Sequence, residues 1–231
     1  ARDVALKVPL LAPTERWERA SNRVRKREQL RCEREFTDEV DTLARLRHSP
    51  AIVHLHGVTL HPVVALVLEL CDAGSLYDHL RAHDELDLAW SDFFRFAVDA
   101  AAAVRVLHAL EPPVVHRDLK SLNYLVTHDE HLKLCDFGAA RAMSADNLAT
   151  LSEVRGTAAY CPPEVFHGEP FTTAGDVYSL GIILWELVAA TMSGTYCRPF
   201  EEYAELRFDF QCLAAAAQKQ LRPTVPAAIH A

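Results

Sequence analysis

The sequence predicts an α+β chain built as two unlike lobes. Short apolar runs of strand character gather in the first 70 residues, helical periodicity dominates the rest of the chain, and no internal repeat relates the two parts. The chain has 231 residues, about one and a half domains at roughly 150 residues each. Half of the residues are hydrophobic and 24% are charged, which suits a packed core and argues against disorder. A net charge of −8 argues against a general nucleic-acid binder.

Taken in order, Val4 to Val8 reads as a strand that Pro9 stops, because proline has no N–H to add to a ladder. Charges crowd from Glu15 to Glu35. From Leu30 to Leu46 a helix is expected, since Phe36, Val40, Leu43 and Leu46 recur at helical spacing. Ile52 to Thr59 and Val63 to Leu70 read as strands separated by His61-Pro62, and Cys71 to Gly74 as a connector. Ser75 is placed to cap a short helix, and Ser91 a longer Ala-rich helix to about Leu110, ended by Pro112-Pro113. Tyr124 to Thr127 and Leu132 to Leu134 form short strands around a turn at His128-Asp129. An irregular stretch runs from Asp136 to about Glu164, followed by a buried helix over Thr173 to Ala190 and another from about Phe208 to Gln220.

Other classes fall away. No apolar run reaches the ~18 residues of a membrane span, and the nearest, Ser179 to Met192, is interrupted by Glu186. The amino end, with Arg2, Asp3 and Lys7, lacks the apolar stretch of a signal peptide. Since it does not open on Met, the chain reads as a fragment or processed form. Six scattered cysteines without a C-x-x-C fit reduced thiols in the cytoplasm better than a disulfide framework or zinc site. Glycine is scarce, 8 in all, and the first is Gly57, so no Gly-rich phosphate loop precedes it.

The segment His116-Arg117-Asp118-Leu119-Lys120-Ser121-Leu122-Asn123, with Asp136-Phe137-Gly138 after it, resembles the catalytic core of a eukaryotic protein kinase. The resemblance covers nearly the whole chain. Val4-Ala5-Leu6-Lys7 looks like the family's strand-lysine motif, and Glu39 stands where its C helix carries a glutamate. Leu46-Arg47-His48 and Ile52-Val53 follow in order. Cys161-Pro162-Pro163-Glu164 resembles the end of the activation segment, Asp176-Val177-Tyr178-Ser179-Leu180-Gly181 the long buried helix, and Leu221-Arg222-Pro223 a stretch further on. Ser121 and the Asp176 to Leu187 run are most like the tyrosine-kinase-like group.

The resemblance implies a bilobal fold: an upper-lobe remnant over 1–70 with an antiparallel sheet and the C helix, a hinge at 71–74, and a mainly helical lower lobe over 75–231. It implies transfer of the ATP γ-phosphate to protein serine or threonine, with Mg²⁺ or Mn²⁺. Lys120 after Asp118, and Gly156-Thr157 before Tyr160, look like the serine/threonine type.

The site residues follow from the chemistry of phosphoryl transfer, which needs positioning and charge neutralisation. The resemblance makes Lys7 the holder of the α- and β-phosphates and Glu39 its anchor. Asn123 and Asp136 become oxygen ligands of the metal, a hard cation. Asp118 accepts the substrate proton, Lys120 neutralises the transferring group, and Gly138 permits a sharp turn after the metal ligand. Ala5 and Leu125 sandwich adenine, Leu68 is the gatekeeper, and Glu69-Leu70-Cys71 form the hinge edge. Asp176 receives backbone amides, Glu164 pairs with Arg222, and Leu43, Leu55, His116 and Phe137 form an apolar column between the lobes. Arg117 pairs with a phosphate on Ser144, Thr150 or Ser152, placed by an upstream kinase.

Each residue has a plainer reading: Asp118, Asn123 and Asp136 as surface-turn residues, Lys7 as a strand-edge lysine, Glu39 as a solvated charge. Their ordered set favours the kinase. Arg23 to Arg27 could be a phosphate-binding or nuclear-localisation patch, but interleaved Glu15, Glu18, Glu28 and Glu33 favour a solvated face or loop. His54 and His56, with His48 and His61 nearby, lack metal-ligand spacing. Cys135 reads as a small buried strand residue. The resemblance also implies strands and a Gly-rich loop ahead of Lys7, further helices after Arg222-Pro223, and a shorter span between Lys7 and Glu39. The expectation is therefore weak ATP binding by residues 1–231 alone. The alternative is a pseudokinase or kinase-like fragment acting as an interaction module.

Overall fold

The computed structural model describes residues 3–9, 22–82, 88–143 and 157–225. Strand β1 (Val4–Lys7), helix α1 (Asn22–Arg45) and strands β2 (Leu55–Thr59) and β3 (Ala65–Glu69) make the upper lobe. The sheet order is β1-β3-β2, all antiparallel, with Ala5 opposite Leu68 and Lys7 opposite Leu66. Alternation places Ala5 and Lys7 on the more buried face of β1, while Val4 and Leu6 point outward.

Helix α1 packs Val40 and Phe36 against the core and buries Leu43, with Leu46 buried just past its end. It begins eight residues before the apolar periodicity does. Its first half buries little, so no hydrophobic stripe marks it. Side-chain contacts one turn apart support it instead, Gln29 to Glu33 at 3.0 Å and Arg31 to Glu35 at 3.4 Å. Arg23 to Arg27 is therefore an exposed helical ridge rather than a loop, while Glu15 and Glu18 lie outside the described residues.

The lower lobe opens at Gly74, whose positive φ of 80° turns the chain into the capped helix α2 (Leu76–Arg81). Ser75 Oγ accepts the Asp78 N–H and the Asp78 carboxylate accepts the Ser75 N–H, both at 3.1 Å. Helix α3 (Trp90–His108) starts two residues earlier than a cap at Ser91 would place it. Ala89 is the cap, and the Asp92 carboxylate reaches back to its N–H at 3.2 Å. Four short pairings involve the next strands: β4 (Val114–Val115) with β7 (Arg141–Ala142), β5 (Tyr124–Val126) with β6 (Leu132–Leu134), and single bridges from Ile52 to Leu134 and from Ser75 to Leu125. The β4–β7 pair is too short to leave a sequence signal. Helices α4 (Pro163–Phe166), α5 (Thr173–Ser193) and α6 (Asp209–Gln218) complete the lobe.

Helix α5 is long and apolar enough to cross a membrane by length and composition alone. Its buried residues include Asp176 and Glu186, both packed inside the lower lobe against the catalytic-loop region, which is the setting of a core helix. The lobes share one hydrophobic core, from Leu43 and Leu66 through Leu134 and Phe137 to Ile183. Between them, Val53 N–H donates to Leu134 O at 3.0 Å and Leu134 N–H to Ala51 O at 2.9 Å.

Candidate active site

Three charged side chains from three separate elements meet between the lobes. Lys7 Nζ, at the end of β1, lies 2.6 Å from Glu39 Oε1 on α1 and 2.6 Å from Asp136 Oδ1 after β6. Glu39 is buried and also accepts the Phe137 N–H at 3.2 Å, so the helix is tied both to the lysine and to the segment after β6. Burial pulls the Lys7 ammonium down, but Glu39 and Asp136 outweigh it and hold its pKa above the ordinary lysine value. Burial pushes Asp136 up, and Lys7 foremost reverses this, holding the carboxyl below its ordinary range.

The left-handed turn at this corner falls on Asp136 itself, φ 59°, and not on Gly138 as expected. Aspartate tolerates that region better than most residues do. A Cβ on Gly138 would meet Asp136 Oδ1 at 3.5 Å, an ordinary contact.

The second group sits on the loop after β4. Lys120 Nζ lies 2.8 Å from Asp118 Oδ2. Asn123 Nδ2 donates to Asp118 O at 2.7 Å and to Asp118 Oδ2 at 3.2 Å, fixing both the loop and its carboxylate. The two groups are joined through the backbone: Cys135 N–H donates to Asn123 O at 2.9 Å, and His116 Nε2 contacts Cys135 O at 3.1 Å. The His116 and Phe137 rings meet edge to face, both fully buried, with Leu43 buried and Leu55 half-buried in the same core.

Beneath this loop, Asp176 of α5 accepts the His116 N–H at 2.9 Å and the Arg117 N–H at 3.1 Å, as the sequence suggested. It also meets His108 Nε2 at 2.9 Å, a partner the sequence did not announce. A buried carboxylate with this many donors is satisfied, and it holds Arg117 in its left-handed conformation of φ 69°. Sequence reasoning also missed Glu186 as a hub. Its Oε1 accepts from Ser121 at 3.2 Å, Tyr160 at 2.9 Å and Tyr196 at 3.0 Å. The available signal was an acid inside an otherwise apolar helical run.

The expected adenine positions gather less completely. Ala5 pairs with Leu68 across the sheet, and Leu125 bridges to Ser75, just past the hinge. The Glu69 side chain is engaged by the fold, with Lys133 Nζ at 2.6 Å and the His54 N–H at 3.1 Å. Cys71 is half-buried, and burial pushes its thiol up. Burial likewise pushes Cys135 up to about 12, the mark of an unreactive thiol.

One expected pair does not form: no ion pair joins Glu164 to Arg222 among the described residues. Arg222 donates instead to Ala216 O at 3.1 Å and Leu221 O at 2.7 Å and lies over the Tyr178 ring. Nor do the described residues contain a cluster of His, Cys, Asp or Glu fit for a metal by itself. Ser144, Thr150, Ser152 and Gly156 lie outside the described residues.

Two lobes closing over a lysine, a helix glutamate and two loop carboxylates define a protein-kinase-like core. The comparisons agree, and the chain belongs to the protein kinase family: the protein kinase domain matches residues 15–215. Lys7 stands ahead of that match, so its place rests on the Glu39 and Asp136 contacts. The chain is 47% identical over 192 residues to Stress-activated protein kinase alpha of Dictyostelium discoideum, covering 83% of this chain and 30% of that protein. To Ankyrin repeat-containing protein kinase A of the same organism it is 40% identical, covering 83% and 13%. To Serine/threonine-protein kinase CTR1 of Arabidopsis thaliana it is 36% identical over 199 residues, covering 85% and 24%. The chain thus spans less than a third of these relatives.

Proposed function

We propose that this chain carries the catalytic machinery of a protein serine/threonine kinase that moves the ATP γ-phosphate to protein hydroxyls. The observation that carries the reading is the Lys7–Glu39–Asp136 junction, because it brings a cation and two carboxylates from separate elements to one point beside Asp118 and Asn123. A solvated surface has no need of such convergence, whereas handling a triphosphate does.

The donor set fits Mg²⁺ or Mn²⁺. Asp136 is kept ionised by Lys7 and is part-exposed, and the Asn123 amide nitrogen faces Asp118, which leaves its amide oxygen as a second hard donor. The bound cation supplies charge neutralisation on the phosphates. Lys7 then binds phosphate oxygens while Glu39 keeps its ammonium in place. Asp118, oriented by Asn123, accepts the proton of the substrate hydroxyl. Lys120, 2.8 Å from that carboxylate, offers a positive charge to the transferring group. Ala5, Leu68, Leu125 and the Glu69-to-Cys71 edge line the adenine end.

Similarity to relatives named as serine/threonine kinases, together with Lys120, supports aliphatic hydroxyls as acceptors. Resemblance to the tyrosine-kinase-like group supports the same choice. Protein substrates, and an upstream kinase acting at the activation segment through Arg117, complete the reading. Six free cysteines support a cytoplasmic, intracellular setting. A peptide array phosphorylated with radiolabelled ATP tests it: label on serine and threonine is expected, and label on tyrosine alone would overturn it.

A further inference from the structure

A groove of about 970 Å³ runs along α1, on the side that faces β4, β7 and the residues after Phe137. One wall is the face of α1 that repeats every three or four residues, and the other is formed by Val114 and the Ala140-to-Ala142 stretch. Among the described residues, seven cations line it against three carboxylates, in a chain whose net charge is −8.

The charges are sorted along the groove. Glu35 is held by Arg31 at 3.4 Å and Asp38 by Arg141 at 3.6 Å, so two of the three acids at the carboxyl end already have cations. Arg45 is turned to Glu111 O at 3.0 Å. The amino-terminal half is different: among the described residues, Arg23, Lys26, Arg27 and Arg34 meet no carboxylate. Arg23 stands one turn from Lys26 and Arg27, and Arg27 one turn from Arg31, the arrangement in which like charges on a helix repel. Glu33, two turns beyond Lys26 at the edge of the same face, is bound to Gln29 rather than to any of these cations. Leu30, 45% exposed, lies within the cationic stretch and is its apolar element, while Val114 and Ala140 are buried at the groove's floor.

We propose that this groove is a docking surface for an acidic peptide segment of a partner protein. Arg23 to Arg34 spans roughly 17 Å along the helix, the reach of about five extended residues, and planar guanidinium groups pair well with carboxylates. Leu30 selects for an apolar side chain among the acids. Concavity and the Glu35, Asp38 and Asp41 carboxylates at the far end oppose a flat anionic membrane, as does the overall negative charge. The surface is separate from the catalytic groups and does not rest on the kinase reading.

The test uses the full chain and a fluorescein-labelled oligo-glutamate peptide with one central leucine, read by fluorescence anisotropy. Saturable binding that weakens with added salt is expected. The triple variant Arg23→Glu, Arg27→Glu, Arg34→Glu should bind about tenfold more weakly or worse, and Lys219→Glu, outside the groove, should bind as the parent does. The glutamine analogue of the peptide should not bind. Circular dichroism verifies folding, and Arg27→Gln with Arg34→Gln gives the same answer with a smaller loss if the reversal variant misfolds. Equal binding by parent and triple variant, absence of peptide binding, or preference for phosphatidylserine vesicles over the peptide would each overturn the proposal.

Discussion

Asp118 and Asn123 illustrate how little freedom a functional side chain retains here, since one amide group bonds both the carbonyl and the carboxylate of its neighbour. Replacing Asp118 by Asn removes the proton acceptor while preserving the shape. Turnover on a peptide substrate should fall on the order of 10²–10⁴-fold with little change in thermal midpoint. Full activity in that variant would remove Asp118 from the reaction. Glu186 is the other informative residue. Burial pushes its carboxyl up to about 7 against three hydroxyl donors, and Oε2 is buried with no partner. A carboxyl whose folded pKa is raised favours the folded state while protonated. That stability is complete below the unfolded value of 4.5 and is lost as pH rises through about 7. The loss is of order 3 kcal/mol for a shift of this size. Thermal midpoints measured across this range should fall with rising pH in the parent and change much less in Glu186→Gln; parallel curves for the two proteins would refute the assignment.

At the level of elements, α5 depends on a close approach at its first turn. A Cβ on Gly175 would lie 2.8 Å from Cε1 of the buried Phe171 ring, and two more ring atoms would stand at 3.0 Å. Alanine gains about 1 kcal/mol of helix propensity there, but overpacking costs about 1–3 kcal/mol. Gly175→Ala should therefore lower stability in urea unfolding, and the smaller side chain of Phe171→Leu should relieve it; a stabilised Gly175→Ala would show that the ring gives way freely. The elements also show which physics a sequence displays. Strands β1 to β3 and helices α3, α5 and α6 were legible because alternation or helical spacing marks a buried face. The start of α1 was not, since charges carry no period of burial, and β4 and β7 are too short for any pattern. Among site residues, Lys7, Glu39, Asp118, Asn123 and Asp136 were readable from motif order, which is a resemblance and not a period. Beyond the Lys7–Glu39 pair, the hydrogen-bond partners were not. His108 reaches Asp176 because α3 packs across α5, Tyr196 reaches Glu186 because the chain folds back along α5 after Gly194, and Arg222 left its expected acid for nearby carbonyls and an aromatic face.

For the whole molecule, the decisive feature is that two lobes of different architecture share one core. Leu134 is central to it: fully buried, on β6 of the lower lobe, and exchanging backbone hydrogen bonds with Ala51 and Val53 of the upper lobe. The same segment leads directly into Asp136 and its bond to Lys7. Perturbing Leu134 should therefore loosen both lobes together. Leu134→Ala leaves a cavity at a position where backbone ties limit collapse, so the cost should be about 2–5 kcal/mol. Hydrogen exchange in denaturant separates the possibilities. If the core is shared, amides of Leu66 and Leu68 in β3 lose protection by the same amount as those of Ile183 and Leu187 in α5. Loss confined to the lower-lobe amides would mean that the upper sheet and α1 form a unit of their own. In that case the Lys7–Glu39 pair would be held by the upper lobe alone, and Asp136 would be brought to it only when the lobes close.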